Sequence, residues 1–126
     1  MSSPQLPMMA PTLESPALAL PFAYNAAVAF VDDAVARGWG ERVALRTAGA
    51  TQTYAELAEQ TNRAGNALRA LGVDQEQRVA ILLYDSPEFA ATFFGAMKAG
   101  AVAVPLNTQL RPQDYAYTFD DSRARV

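Results

Sequence analysis

The 126 residues carry 13 acidic against 10 basic side chains, a net charge of -3, 51% hydrophobic residues, and neither cysteine nor histidine. A chain of this size and balance is expected to fold around one core. Disulfides, thiolate nucleophiles, histidine triads and cysteine- or histidine-built zinc sites are excluded. The arginines are scattered rather than massed on one face, which argues against a nucleic-acid partner.

Residues 1–21 hold five of the eight prolines and no apolar period, and read as a flexible proline-rich tail. The first positive charge is Arg37, so the start has neither the basic region of a secretory signal nor the arginine-rich character of a transit peptide. A cytoplasmic setting is expected. The apolar stretch Ala17 to Val31 contains Pro21 and Asn25 and is too short to span a bilayer, so no membrane partner is expected.

Asn25 is a capping residue, and Val28, Val31 and Val35 fall on one helical face that ends at Gly38, predicting a helix of about three turns. Arg42 to Thr47 alternates, Gly49 and Ala50 supply a turn, and Thr51 to Thr53 returns, which predicts a small hairpin. Thr53-Tyr54-Ala55-Glu56 fits the capping box, in which hydroxyl and carboxylate satisfy each other's backbone donors. The stripe Leu57, Thr61, Ala64, Leu68, Leu71 follows, and Gly72 supplies the left-handed stop.

The run Arg78 to Tyr84 is continuously apolar after its first residue, as expected of a strand buried on both faces in a parallel sheet. Ser86-Pro87-Glu88 then combines a cap, a first-turn proline and an acid at the positive end of the helix dipole. That helix presents Phe89, Phe93 and Met97 inward and ends at Gly100. Ala101 to Leu106 reads as a second buried strand joined by a right-handed crossover, with Pro105 limiting its far end. Pro112 opens a helix to about Ser122, with Arg111 a poor cap, and Arg125 and Val126 read as the first residues of a third strand. Leu57, Leu68, Ile81, Leu83, Phe89, Phe93 and Val102 would each stabilise the core by about 1.5–3 kcal/mol if fully buried. Leu82→Asp is expected to unfold the segment.

Phosphate loops of the Gly-x-x-x-x-Gly-Lys and Gly-x-Gly-x-x-Gly kinds and the Gly-x-Ser-x-Gly elbow are absent. The acid pairs Asp32-Asp33 and Asp120-Asp121 point in different directions on a helix and read as solvated faces rather than metal ligands. Lys98, the only lysine, sits where a cation stabilises the end of its helix. Phe93-Phe94 and Tyr115-Ala116-Tyr117 are candidates for an aryl pocket, against core packing as the plainer reading. The loop Asn107 to Arg111 follows the carboxyl end of a parallel strand, where open α/β sheets place ligands, and Arg111 is its one candidate for an anionic phosphate.

Taken together, Tyr54-Ala55-Glu56-Leu57, Asn62-Arg63, Leu71-Gly72-Val73, Arg78-Val79-Ala80, Phe94 to Ala101 and Val104-Pro105-Leu106-Asn107 resemble the adenylate-forming ligase superfamily, over about Ala23 to Val126. The string Asn107-Thr108, Leu110, Pro112, Asp114 to Tyr117 and Ser122-Arg123-Ala124 resembles its benzoate-CoA ligase branch. The resemblance implies an α/β fold: residues 22–126 would be an incomplete N-terminal subdomain, a partial parallel sheet with flanking helices belonging to the large domain. It implies ATP, CoA and magnesium as cofactors in the intact enzyme. An aryl carboxylate would attack ATP to give an acyl-adenylate and pyrophosphate, and CoA would displace AMP.

In that family the phosphate loop, acyl pocket, adenine site and catalytic lysine lie later in the chain, so no catalytic residue is assigned here and the remainder of the ligase chain is the implied partner. An arginine after the second strand approaches the nucleotide end of CoA in some relatives. Gln109 stands at the matching position, a departure from that pattern, and Arg111, two residues on, is kept as a candidate for the CoA nucleotide. Another acyl-CoA synthetase or carrier-protein adenylating enzyme is the alternative within the superfamily, and a short interaction module is the alternative outside it.

Overall fold

The computed structural model describes residues 20–126, so the tail expected over residues 1–21 lies, but for its last two positions, outside the described residues. Asn25 caps the first helical stretch as expected: its Oδ1 accepts from the Ala27 N–H at 3.0 Å, while its Nδ2 donates to the Met97 carbonyl at 2.9 Å. Two π-type segments, Val28–Asp32 and Val35–Trp39, follow, and the backbone turns left-handed at Gly38. Ala27, Val31 and Ala34 are buried, whereas Val28 and Val35, expected inside, are 38% and 36% exposed.

The hairpin forms as expected from β1 (Val43–Arg46) and β2 (Thr51–Thr53), antiparallel, with an irregularity between Val43 and Leu45. Its end is spliced to α1 (Tyr54–Ala70): the Tyr54 and Ala55 N–H groups donate to the Arg42 and Gly40 carbonyls at 3.0 and 2.9 Å. The capping box completes the start, with Glu56 N–H donating to Thr53 Oγ1 at 3.2 Å and Thr53 N–H to Glu56 Oε2 at 2.8 Å. The first three orphan donors of α1 are thus all met. At its far end Gly72 takes φ 83°, and the Val73 N–H reaches back to the Leu68 carbonyl at 3.1 Å, the closure that only a residue without Cβ makes cheaply.

β3 (Arg78–Ile81), α2 (Pro87–Lys98) and β4 (Val102–Pro105) form the expected strand–helix–strand unit, with the strands parallel and Arg78 opposite Val102 through Ile81 opposite Pro105. Ser86 Oγ accepts from the Phe89 N–H at 3.2 Å to start α2. Val79, Ile81, Ala96, Ala101, Leu68 and Val73 make the core, with Phe89, Phe93 and Ala103 packed against it. α1 and α2 cross where Gly95 faces Gly65; a Cβ on Gly95 would lie 2.8 Å from Ala64 Cβ and 2.9 Å from the Thr61 carbonyl oxygen.

Both strands are shorter than expected; β3 buries one face through Val79 and Ile81, and β4 buries no residue fully. Leu82, Leu83 and Tyr84 leave β3 and are 45%, 40% and 77% exposed, and Val102 is 46% exposed, so Leu83 and Val102 are not core residues. The reason is neighbour count: β3 has β4 along one edge, while among the described residues the opposite edge receives only the Arg125 N–H on the Arg78 carbonyl and the Val126 carbonyl on the Ala80 N–H, both at 2.8 Å. Those two bonds run in the direction of β3, as the expected third strand would. α3 (Pro112–Ser122) lies between. Among the described residues no helix is long and apolar enough to cross a membrane.

Candidate functional site at the carboxyl ends of the parallel strands

Leu106 N–H donates to the Ile81 carbonyl at 2.9 Å, the last rung of the pair, and the two chains then separate. The gap is an open cleft of about 420 Å³ lined by Leu83, Tyr84, Asp85, Phe89 and Pro105 to Thr108. Its position follows from the parallel arrangement, in which both strands deliver their following loops to the same end.

The loop that forms one wall is pinned locally. Asn107 Oδ1 accepts from the Gln109 N–H at 2.9 Å. The Tyr115 hydroxyl, reaching back from the first turn of α3, donates to the Asn107 carbonyl at 2.8 Å and accepts from the Leu110 N–H at 3.2 Å. Tyr115 is thus not among the residues lining this cleft; it ties the loop down, its ring stacked on Phe119 at 6.4 Å. The hydrogen-bonding tip of a tyrosine five to eight residues downstream is a local signal that periodicity does not read. Tyr117 is 69% exposed. Phe93 does pack on the core, stacked on Phe89 at 6.0 Å and edge-on to Phe94 at 5.6 Å.

Arg111 closes the loop, and Asp114 supplies the cap that an arginine cannot. The Asp114 carboxylate accepts from the Arg111 backbone N–H at 3.2 Å and from Nε and Nη2 at 3.0 and 3.1 Å. Those side-chain bonds chiefly hold the Asp114 carboxyl below the usual carboxylate range, against an opposing effect of desolvation and with the backbone bond as the least contribution. Arg111 is not among the residues lining the cleft, and its side chain is 72% exposed. A guanidinium has five donors and Asp114 occupies two, so an anion can still be met by the others.

Lys98 is more than an end cap: Nζ pairs with Asp32 Oδ2 and donates to Asn62 Oδ1, each at 2.6 Å. Asp32 is thus a structural ion-pair partner rather than part of a solvated face. A further cleft of about 300 Å³ between the hairpin and α1 is lined in part by Gln52, Glu56, Glu59 and Glu88, but Glu56 is engaged by Thr53 and Glu59 lies 3.8 Å from Arg63. Among the described residues no group of three or more acidic side chains is placed to hold a metal ion.

Residues 32–126 match the family model described as AMP-binding enzyme. The chain is similar to a 4-hydroxybenzoate–CoA/benzoate–CoA ligase of Rhodopseudomonas palustris, 46% identical over 103 residues, which are 82% of this chain and 19% of the relative. Its fold is similar to the crystal structure of an anthranilate CoA ligase in complex with anthranoyl-AMP, with TM-score 0.78 and 38% identity over 83% of this chain and 20% of that one. A benzoate CoA ligase structure from Burkholderia xenovorans gives TM-score 0.76 and 33% identity over 81% of this chain and 20% of the other. The chain therefore spans about a fifth of the length of the proteins it matches.

Proposed function

The chain belongs to the AMP-binding enzyme family, and on that premise we propose that it forms part of an aryl-CoA ligase, which activates an aromatic carboxylate with ATP and passes the acyl group to CoA. The observation that carries the aryl reading is the 46% identity over 103 residues with a benzoate- and hydroxybenzoate-activating relative. The wording Asn107-Thr108, Leu110, Pro112, Asp114 to Tyr117, shared with that branch, supports it. Atoms balance in two steps: carboxylate oxygen displaces pyrophosphate from ATP, and the CoA thiol displaces AMP while losing its proton. A cytoplasmic setting fits a reaction that consumes ATP and CoA.

Among the described residues no trio of acidic side chains is assembled to hold magnesium. The chain's part is architectural. The capped helices and the parallel pair hold the Asn107 to Arg111 loop at the carboxyl ends of the strands, with Tyr115 fixing its path. Arg111 is proposed as a contact for the phosphates of the CoA nucleotide, using the donors that Asp114 leaves free.

Pyrophosphate release by the intact gene product, with ATP, CoA and benzoate or hydroxybenzoates, tests the reading. Release that depends on the aryl acid is expected, and none above background with any of them rejects the aryl assignment. In the same assay Arg111→Ala should raise the CoA KM about tenfold, equivalent to about 1.4 kcal/mol, with kcat little changed. An unchanged KM would remove Arg111 from the CoA site.

A further inference from the structure

We propose that Tyr115 is a positioning residue for the CoA step of the reaction, holding the Asn107 to Arg111 loop in the path from which Arg111 meets the nucleotide. The inference rests on the proposed reading of that loop as a contact for CoA, and it adds the side chain on which that contact depends. The Tyr115 hydroxyl donates to the Asn107 carbonyl at 2.8 Å and accepts from the Leu110 N–H at 3.2 Å. Those are the two groups that a β-turn over Asn107 to Leu110 brings together, so one side chain of α3 secures both ends of the turn.

The backbone donors of the loop say why such a tie matters. The Gln109 N–H is taken by Asn107 Oδ1, the Leu110 N–H by the Tyr115 hydroxyl and the Arg111 N–H by Asp114 Oδ2. From Gln109 to Arg111 the loop therefore offers no nest of free N–H groups to a phosphate, and an anion is met there by side chains, whose aim depends on the backbone that carries them. Among these bonds only that of Tyr115 to Asn107 joins the start of the loop to α3. The ring alone does not make the tie: its stacking on Phe119 would hold a phenylalanine equally, and it is the hydroxyl that reaches the loop. A loop held before the ligand arrives has less freedom to lose on binding.

Tyr115→Phe in the intact gene product tests it, with Tyr117→Phe, at a ring 69% exposed, as the control. Tyr115→Phe should raise the CoA KM about fivefold, the effect of losing one net hydrogen bond, with kcat and the KM values for ATP and aryl acid unchanged. ATP–pyrophosphate exchange without CoA should run at the parent rate, and Tyr117→Phe should change none of these. A fall in kcat and in exchange with every KM unchanged would show that the hydroxyl serves stability alone and overturns the proposal. Hydrogen exchange at the Leu110 amide of the parent enzyme is the second readout: equal protection with and without CoA is expected, and protection that arrives only with CoA overturns the preformed loop. A raised CoA KM in Arg111→Ala alone removes the positioning role and keeps the CoA reading, whereas an unchanged KM in both variants withdraws that reading and this proposal with it.

Discussion

Lys98 Nζ stands 2.6 Å from the Asp32 carboxylate, so the last turn of α2 is clamped to the first helical stretch, with Asn62 of α1 accepting a second bond from the same ammonium. Both paired side chains are under a third exposed, which lifts the pair above an ordinary surface contact while leaving it partly screened. A double-mutant cycle of Asp32→Asn and Lys98→Met should give a coupling of about 1 kcal/mol in urea unfolding, smaller in high salt. Additive single effects would show the clamp to be geometric only.

Gly95→Ala should destabilise the chain by about 1–3 kcal/mol, because the new methyl meets backbone of α1 at 2.9 Å and the two helices must move apart. Gly49→Ala, whose Cβ would meet nothing within 4 Å, serves as the control and should change the urea midpoint little. Equal midpoints for the two variants would contradict the close crossing.

Thr61 is wholly buried at that crossing, and its hydroxyl finds no partner among the described residues. Thr61→Val keeps the shape and removes the orphan group, so it should be neutral or stabilising by up to about 1 kcal/mol in a thermal melt. A loss of stability would mean that the hydroxyl is satisfied in solution.

The Asp114 carboxyl is held below the usual carboxylate range mainly by the Arg111 side chain. Because its folded value lies below its unfolded one, its contribution to stability is present above the ordinary carboxylate range and is lost as pH falls through the depressed folded value. An NMR titration of the Asp114 side-chain carbon should show the lowered midpoint, and Arg111→Gln should move it up toward the ordinary value. Identical midpoints would break the assignment.

Leu82→Asp should not unfold the 126-residue chain, contrary to the expectation from the apolar run, since the side chain is nearly half exposed. Ile81→Asp, one residue earlier and 2% exposed, should abolish the cooperative melt seen by circular dichroism.

The elements legible from sequence were those whose cause is local. Thr53 and Glu56 cap each other three residues apart, Gly72 closes α1 by its own φ, and Ser86-Pro87 starts α2 from adjacent chemistry. The alternation of helix and strand, and the wording of its loops, likewise placed the chain in its family. Position on a face was less legible: Val28, Val31 and Val35 share one helical period, and the structure buries Ala27, Val31 and Ala34 on the adjacent one, leaving Val28 and Val35 exposed. Tertiary structure alone decided what Lys98 pairs with and which apolar residues beyond Ile81 stay uncovered. The physical reason is range. Caps and turns are satisfied by groups within a few residues, whereas burial and ion pairing depend on segments brought together from tens of residues away.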